Sequence, residues 1–161
     1  MSTSEEPIPE SIANNLLGAA RDGAELVGTS VDAEPDKIVE AIDRFLTNPK
    51  KRGWFSKIDN WDDRALPIGS LWGAAMVRAF GWQWASLIQH GHDDYKAIAL
   101  VNDDRSLMVF PFHYCFGCLE DNVTPTVLLA FNMLEAGKIP QQGAHSYTNL
   151  MDGVQHIVPP A

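Results

Sequence analysis

Apolar residues recur at helical spacing in the first third of the chain. From about residue 9 to residue 27, apolar positions three or four apart share one face, and Gly28 is a suitable residue to end a helix there. A second helix is predicted from Pro35 to Leu46, because proline suits a first helical turn and Ile38 and Ile42 belong to an apolar stripe. The short connection predicts that these two helices form an antiparallel pair.

A third helix is predicted from Leu66 to Phe80, with a broad apolar face that places Trp72 in the core. Gly69 and Gly73 are four residues apart, so they share a face of this helix. Because glycine has no side chain, this face allows another part of the backbone to approach closely.

Strand patterns follow this helix. Three strands are predicted at Gln83–Gln89, Tyr95–Val101 and Leu107–Phe112, and the short polar turns between them favour an antiparallel meander. Pro111 indicates that the third strand lies at an edge or ends there. A fourth helix is predicted from Pro125 to Ala136, and the chain from residue 138 onward is expected to be irregular.

These elements predict an α+β fold in which N-terminal helices pack on a three-stranded antiparallel meander, with a further C-terminal helix. A chain of 161 residues suits one domain, which we expect to span residues 9–161. Residues 1–8 are polar and acidic, and we expect them to be disordered.

The charge of the chain limits its partners. With 21 acidic and 12 basic residues the net charge is −9, which argues against binding nucleic acid or an anionic membrane surface. A basic partner protein is compatible with this charge, because opposite charges steer association. The N-terminus lacks the basic and apolar pattern of a signal peptide, so the cytoplasm is the expected location.

The motif Cys115-Phe-Gly-Cys118 is the one pattern with recognisable chemistry. In a redox protein such a pair lies at the start of a helix that follows a βαβ unit, and a zinc site needs two further ligands. Neither context is evident in this sequence. The main interpretation is therefore that both residues are buried structural thiols. His113 is the nearest additional ligand or base, and on an extended strand it would point the same way as Cys115. No phosphate-binding, dinucleotide-binding or serine-nucleophile motif is present, and we predict neither a cofactor nor an enzyme.

Aromatic and acidic residues in polar segments are candidates for partner binding. Residues 47–65 are expected to form a long irregular loop, and exposed aromatic residues beside charges are typical binding anchors. The turn after the first predicted strand adds two aspartates. The predicted partner-binding residues are Trp54, Phe55, Trp61, Asp62, Asp63, Asp93 and Asp94.

One stretch resembles a known family. Gly69-Ser-Leu-Trp-Gly73, Gly81-Trp-Gln-Trp84 and Val109-Phe-Pro-Phe112 together resemble a family of small bacterial domains of unknown function, in which a glycine-containing helix leads into an antiparallel meander. Small acidic domains of this type are similar to bacterial immunity proteins. The resemblance implies a protein that neutralises a toxin by occluding its active site. Two alternatives remain: a metal- or thiol-dependent protein built on Cys115, Cys118 and His113, and a structural subunit that self-associates.

Overall fold

The computed structural model describes residues 2–48, 61–121 and 123–157, and only the backbone of residues 61–63. These residues form six helices and five strands, which confirms a mixed helix-and-sheet fold. The helices are α1 (Glu10–Val27), α2 (Pro35–Thr47), α3 (Trp61–Phe80), α4 (Pro111–Glu120), α5 (Val127–Glu135) and α6 (Leu150–Gln155). The strands are β1 (Ser2–Glu6), β2 (Gln83–His90), β3 (Tyr95–Val101), β4 (Leu107–Val109) and β5 (Thr148–Asn149). Within the described ranges, no helix has both the length and the apolar character needed to cross a membrane.

The sheet has five strands in the order β1-β2-β3-β4-β5, whereas only three were predicted. The β2, β3 and β4 strands form the expected antiparallel meander, and β5 adds a parallel partner to β4. On the other side, β1 pairs antiparallel with β2, from Ser2 opposite His90 to Glu6 opposite Ser86.

The first strand corrects the expectation that residues 1–8 are disordered. Its sequence is polar, but its backbone groups bond to the edge of β2, and its carboxylates have partners. Arg105 donates hydrogen bonds of 3.0 and 2.9 Å to the two carboxylate oxygens of Glu5, and the Tyr147 hydroxyl donates a third of 2.9 Å. Composition could not predict these contacts, because both partners come from more than 90 residues away.

The strand predicted from Leu107 to Phe112 was also wrong at its C-terminal end. It stops at Val109, and Pro111 becomes the first residue of α4. Proline at a helix start has no N–H group to lose and already has a helical φ angle. The residue that was taken as the end of a strand therefore begins a helix, and the two cysteines lie on that helix.

The N-terminal helices were predicted to pack on the sheet, but α1 and α2 pack mainly on α3. α3 begins five residues earlier than expected and continues through Pro67. At the crossing with α1, a methyl group on Gly23 would overlap the carbonyl group of Pro67, so the backbones of α1 and α3 meet there. The predicted core residue Trp72 is buried in α3, within a cluster shared by all six helices and one face of the sheet.

The glycines of α3 receive two aromatic rings. A methyl group on Gly69 would lie 2.6 Å from the ring of Phe112, and one on Gly73 would overlap the indole of Trp84. The two rings stack on each other, with centroids 5.8 Å apart and planes within 7°. The predicted close approach therefore occurs, with aromatic side chains in place of the backbone that was expected.

The C-terminal region is more ordered than the sequence indicated. α5 begins two residues after the predicted start, and Thr126, the residue before it, donates its backbone N–H to the Tyr114 hydroxyl, 2.7 Å away. The Thr126 hydroxyl donates a 3.0 Å hydrogen bond to Gln155 of α6. These bonds attach the segment after residue 138, expected to be irregular, to the helical core.

Candidate functional site

The two cysteines of the Cys115-Phe-Gly-Cys118 motif lie in the helical core. Cys115 and Cys118 both lie on α4, and both are completely buried. Burial raises the pKa of the Cys115 thiol well above its ordinary value, and the neighbouring Cys118 raises it further. Because the thiolate is the reactive form, this environment disfavours nucleophilic or redox chemistry near neutral pH. The prediction that these two side chains are buried is confirmed.

His113 does not join these cysteines. It was expected to point the same way as Cys115 on a strand, but both residues lie on α4, where positions two apart are about 200° apart around the axis. His113 is accordingly exposed while Cys115 is buried. Among the described residues, no three His, Cys, Asp or Glu side chains are grouped so that they could hold a metal ion.

The predicted partner-binding residues divide into three groups. Trp54 and Phe55 lie outside the described residues. Trp61, Asp62 and Asp63 form the first turn of α3, which corrects their assignment to an irregular loop; their side chains are not described. Asp93 and Asp94 lie in the turn between β2 and β3, where both are exposed.

The turn that carries these aspartates is tied to the sheet. The imidazole of His90 lies between two partners: its Nδ1 is 3.3 Å from Oδ2 of Asp94, and its Nε2 is 2.8 Å from Oγ of Ser4. Ser4 belongs to β1, so the N-terminal strand supports the turn through this histidine. The turn that carries the carboxylates of Asp93 and Asp94 is therefore attached to β1 by side-chain contacts.

Beside the turn, the structure assembles an aromatic surface. Tyr95 is the first residue of β3, is 44% exposed, and contacts Phe110 and His113 edge-on, with centroids 6.2 Å away in each case. Its hydroxyl lies 3.4 Å from Nδ1 of His113. We call the group formed by Asp93, Asp94, Tyr95, Phe110 and His113 the hairpin surface.

A small cavity opens next to the hairpin surface. Its volume is about 140 Å³, and it is lined by Phe110, His113, Tyr114, Asn149, Met151 and Asp152. Cavities that hold whole small molecules are usually about 300–1,000 Å³, so this one is better matched to a single side chain of a larger partner. Asp152 is exposed and adds a third carboxylate to this region.

Sequence reasoning missed Tyr95 and Asp152. Tyr95 directly follows two aspartates in a turn, a signal that could have identified it as an exposed aromatic residue. Asp152 belongs to a tail that was expected to be irregular, and nothing in its neighbourhood indicated that α6 would bring it near α4. His113 was considered only as a metal ligand or base, whereas the structure places it against Tyr95.

Comparison with known proteins assigns no family. No protein-family model matches the chain, and neither curated proteins nor solved structures show a significant match to it. The functional interpretation therefore depends on the geometry of these surfaces.

Proposed function

We propose that this protein is a non-catalytic, cytoplasmic binding protein that engages a basic partner protein through the hairpin surface. The observation that carries this proposal is the combination of exposed carboxylates, an exposed tyrosine and a cavity of side-chain size in one place. Interface anchors are commonly aromatic residues surrounded by polar ones, and they pair with pockets that exclude water.

The proposed mechanism has two stages. The net charge of −9 attracts a basic partner and accelerates encounter, and the exposed Asp93 and Asp94 pair with cationic groups on it. A side chain of the partner then enters the cavity between Phe110 and Met151, where burial of apolar surface stabilises the complex.

Inhibition of a toxin is the form of this activity that we propose. A basic active-site cleft would be covered by the acidic hairpin surface, which would prevent substrate from entering. Such an immunity role needs no catalytic group on the inhibitor. The alternative of a thiol-dependent activity has less support, because burial raises the pKa of Cys115.

A tagged pull-down from the source cells tests the proposal. We expect one dominant basic partner in stoichiometric amount, and we expect charge reversal at Asp93 to remove it. Asp103 provides a matched control, since it is also an exposed aspartate in a turn. It lies beyond the opposite end of β3 from Asp93, and a strand of seven residues separates the two turns by about 23 Å. Recovery of the same partner with Asp93→Lys would contradict the proposed surface.

A further inference from the structure

A larger groove lies between α1 and α3, away from the hairpin surface. Its volume is about 380 Å³, which is within the range of small-molecule sites. Its walls are mainly apolar side chains: Leu16, Leu17, Ala20, Ala74, Val77 and Trp84. Leu17 is 61% exposed, so the groove presents a large apolar side chain to solvent.

One polar side chain of the groove has no partner. Ser70, on α3, is 99% buried, and its Oγ has no hydrogen-bond partner among the described residues. A serine within a helix commonly bonds back to a carbonyl of the preceding turn, which would satisfy its hydroxyl. Buried hydroxyl groups without partners are rare and unfavourable. A ligand in the groove can supply the hydrogen-bond acceptor that the Ser70 hydroxyl lacks.

The charge of the groove is opposite to that of the molecule. The chain has a net charge of −9, yet the charged side chains that line this groove within the described residues are Arg21 and Arg78, with no carboxylate among them. Arg78 is held in place because its Nη1 donates 2.8 Å hydrogen bonds to the carbonyl oxygens of Val31 and Ala33. A fixed guanidinium beside an apolar wall is suited to an anionic group on an apolar ligand.

We propose that this groove binds a small apolar carboxylic acid of the medium-chain fatty-acid type. The hydrocarbon part covers Leu17, Ala74 and Val77, and the carboxylate is neutralised by the arginines. An oxygen of the ligand accepts the hydrogen bond that the Ser70 hydroxyl does not make within the protein. This site is independent of the hairpin surface, so loss of either activity leaves the other intact.

Calorimetric titration with octanoate and with octanol tests the proposal on the full chain. We expect octanoate to bind at one site and more tightly than octanol. Ser70→Ala should weaken both ligands about fivefold, the effect of losing one ordinary hydrogen bond. Arg21→Gln should weaken octanoate alone, because octanol carries no charge. Ser86→Ala is the matched control, since Ser86 is a buried serine on β2 outside this groove, and it should leave both affinities unchanged.

A variant that fills the groove gives a second test. Ala74 is half-buried in the wall, so Ala74→Phe should abolish binding of octanoate while the circular dichroism spectrum stays native. If Ala74→Phe does not fold, the Ser70 and Arg21 variants still decide the matter. The proposal is overturned by the absence of saturable octanoate binding, by an unchanged affinity in Ser70→Ala, or by equal losses for both ligands in Arg21→Gln.

Discussion

Replacement of Gly73 by alanine tests how α3 packs against the sheet. Alanine is normally the better helix residue, by about 1 kcal/mol, so helix propensity alone predicts a gain in stability. In this structure, however, the new methyl group would overlap Cζ2 and Cη2 of the Trp84 indole. Since Trp84 stacks on Phe112, and Phe112 in turn lies against Gly69, the indole cannot move away without displacing a second ring.

The expected magnitude combines three contributions. Overpacking costs about 1–3 kcal/mol, loss of the aromatic pair costs about 0.5–1.5 kcal/mol, and helix propensity offsets about 1 kcal/mol. The net expectation for Gly73→Ala is a loss of about 0.5–3.5 kcal/mol in the free energy of unfolding. For a chain of this size, each 1 kcal/mol lowers the melting temperature by about 2–4 °C.

Gly18 provides the matched control for this experiment. It lies on α1, is exposed, and has no atom within 4 Å of the position that a methyl group would occupy. Gly18→Ala should therefore stabilise the protein by about 0.5–1 kcal/mol. Urea and thermal unfolding followed by circular dichroism measure both variants. If Gly73→Ala is as stabilising as Gly18→Ala, the indole does not occupy this face of α3.

Three further substitutions or treatments have defined outcomes. Ser70→Ala in the absence of ligand should stabilise the protein by about 1 kcal/mol in urea unfolding, because it removes a buried hydroxyl without a partner; a loss of that size would show that the hydroxyl is bonded. The hydrogen bonds from Arg105 lower the pKa of Glu5, so this pair stabilises the fold above the unfolded-state pKa and ceases to do so as pH falls through the folded-state pKa. Glu5→Gln should therefore lower the free energy of unfolding at neutral pH by up to about 1 kcal/mol. Below about pH 4 the variant should lose less stability than the parent protein, because it has no Glu5 carboxylate to protonate. An unchanged dependence of the free energy of unfolding on pH would contradict this. A thiol-specific reagent should leave Cys115 and Cys118 unmodified in the native protein and label both in urea, and rapid labelling of the native protein would refute their burial.

Periodicity predicted the elements whose burial is local. The predicted bounds of α1, α2 and β3 agree with the observed bounds to within one or two residues. Their apolar patterns and their glycine or proline boundaries reflect contacts with one neighbouring layer, and such patterns can be read from the local sequence. The elements that were missed depend on distant partners. β1 is held by β2 and by Arg105, and β5 and α6 are held by β4 and Thr126.

The candidate site was only partly visible in the sequence. Asp93 and Asp94 could be identified, because a polar turn between two strands is a local feature. The position of His113 could not, since that depended on whether Pro111 ends a strand or begins a helix. Once α4 begins there, His113 turns away from Cys115 and meets Tyr95. The same change of element separates His113 from the two cysteines and contributes this residue to the hairpin surface.

The affinity for the captured partner, measured by calorimetry on purified proteins, tests the central claim most directly. We predict that Asp93→Lys weakens the complex at least about tenfold, because it places like charges together, and that Asp103→Lys changes the affinity far less. Equal affinities for the two variants would contradict the assignment of partner binding to the hairpin surface.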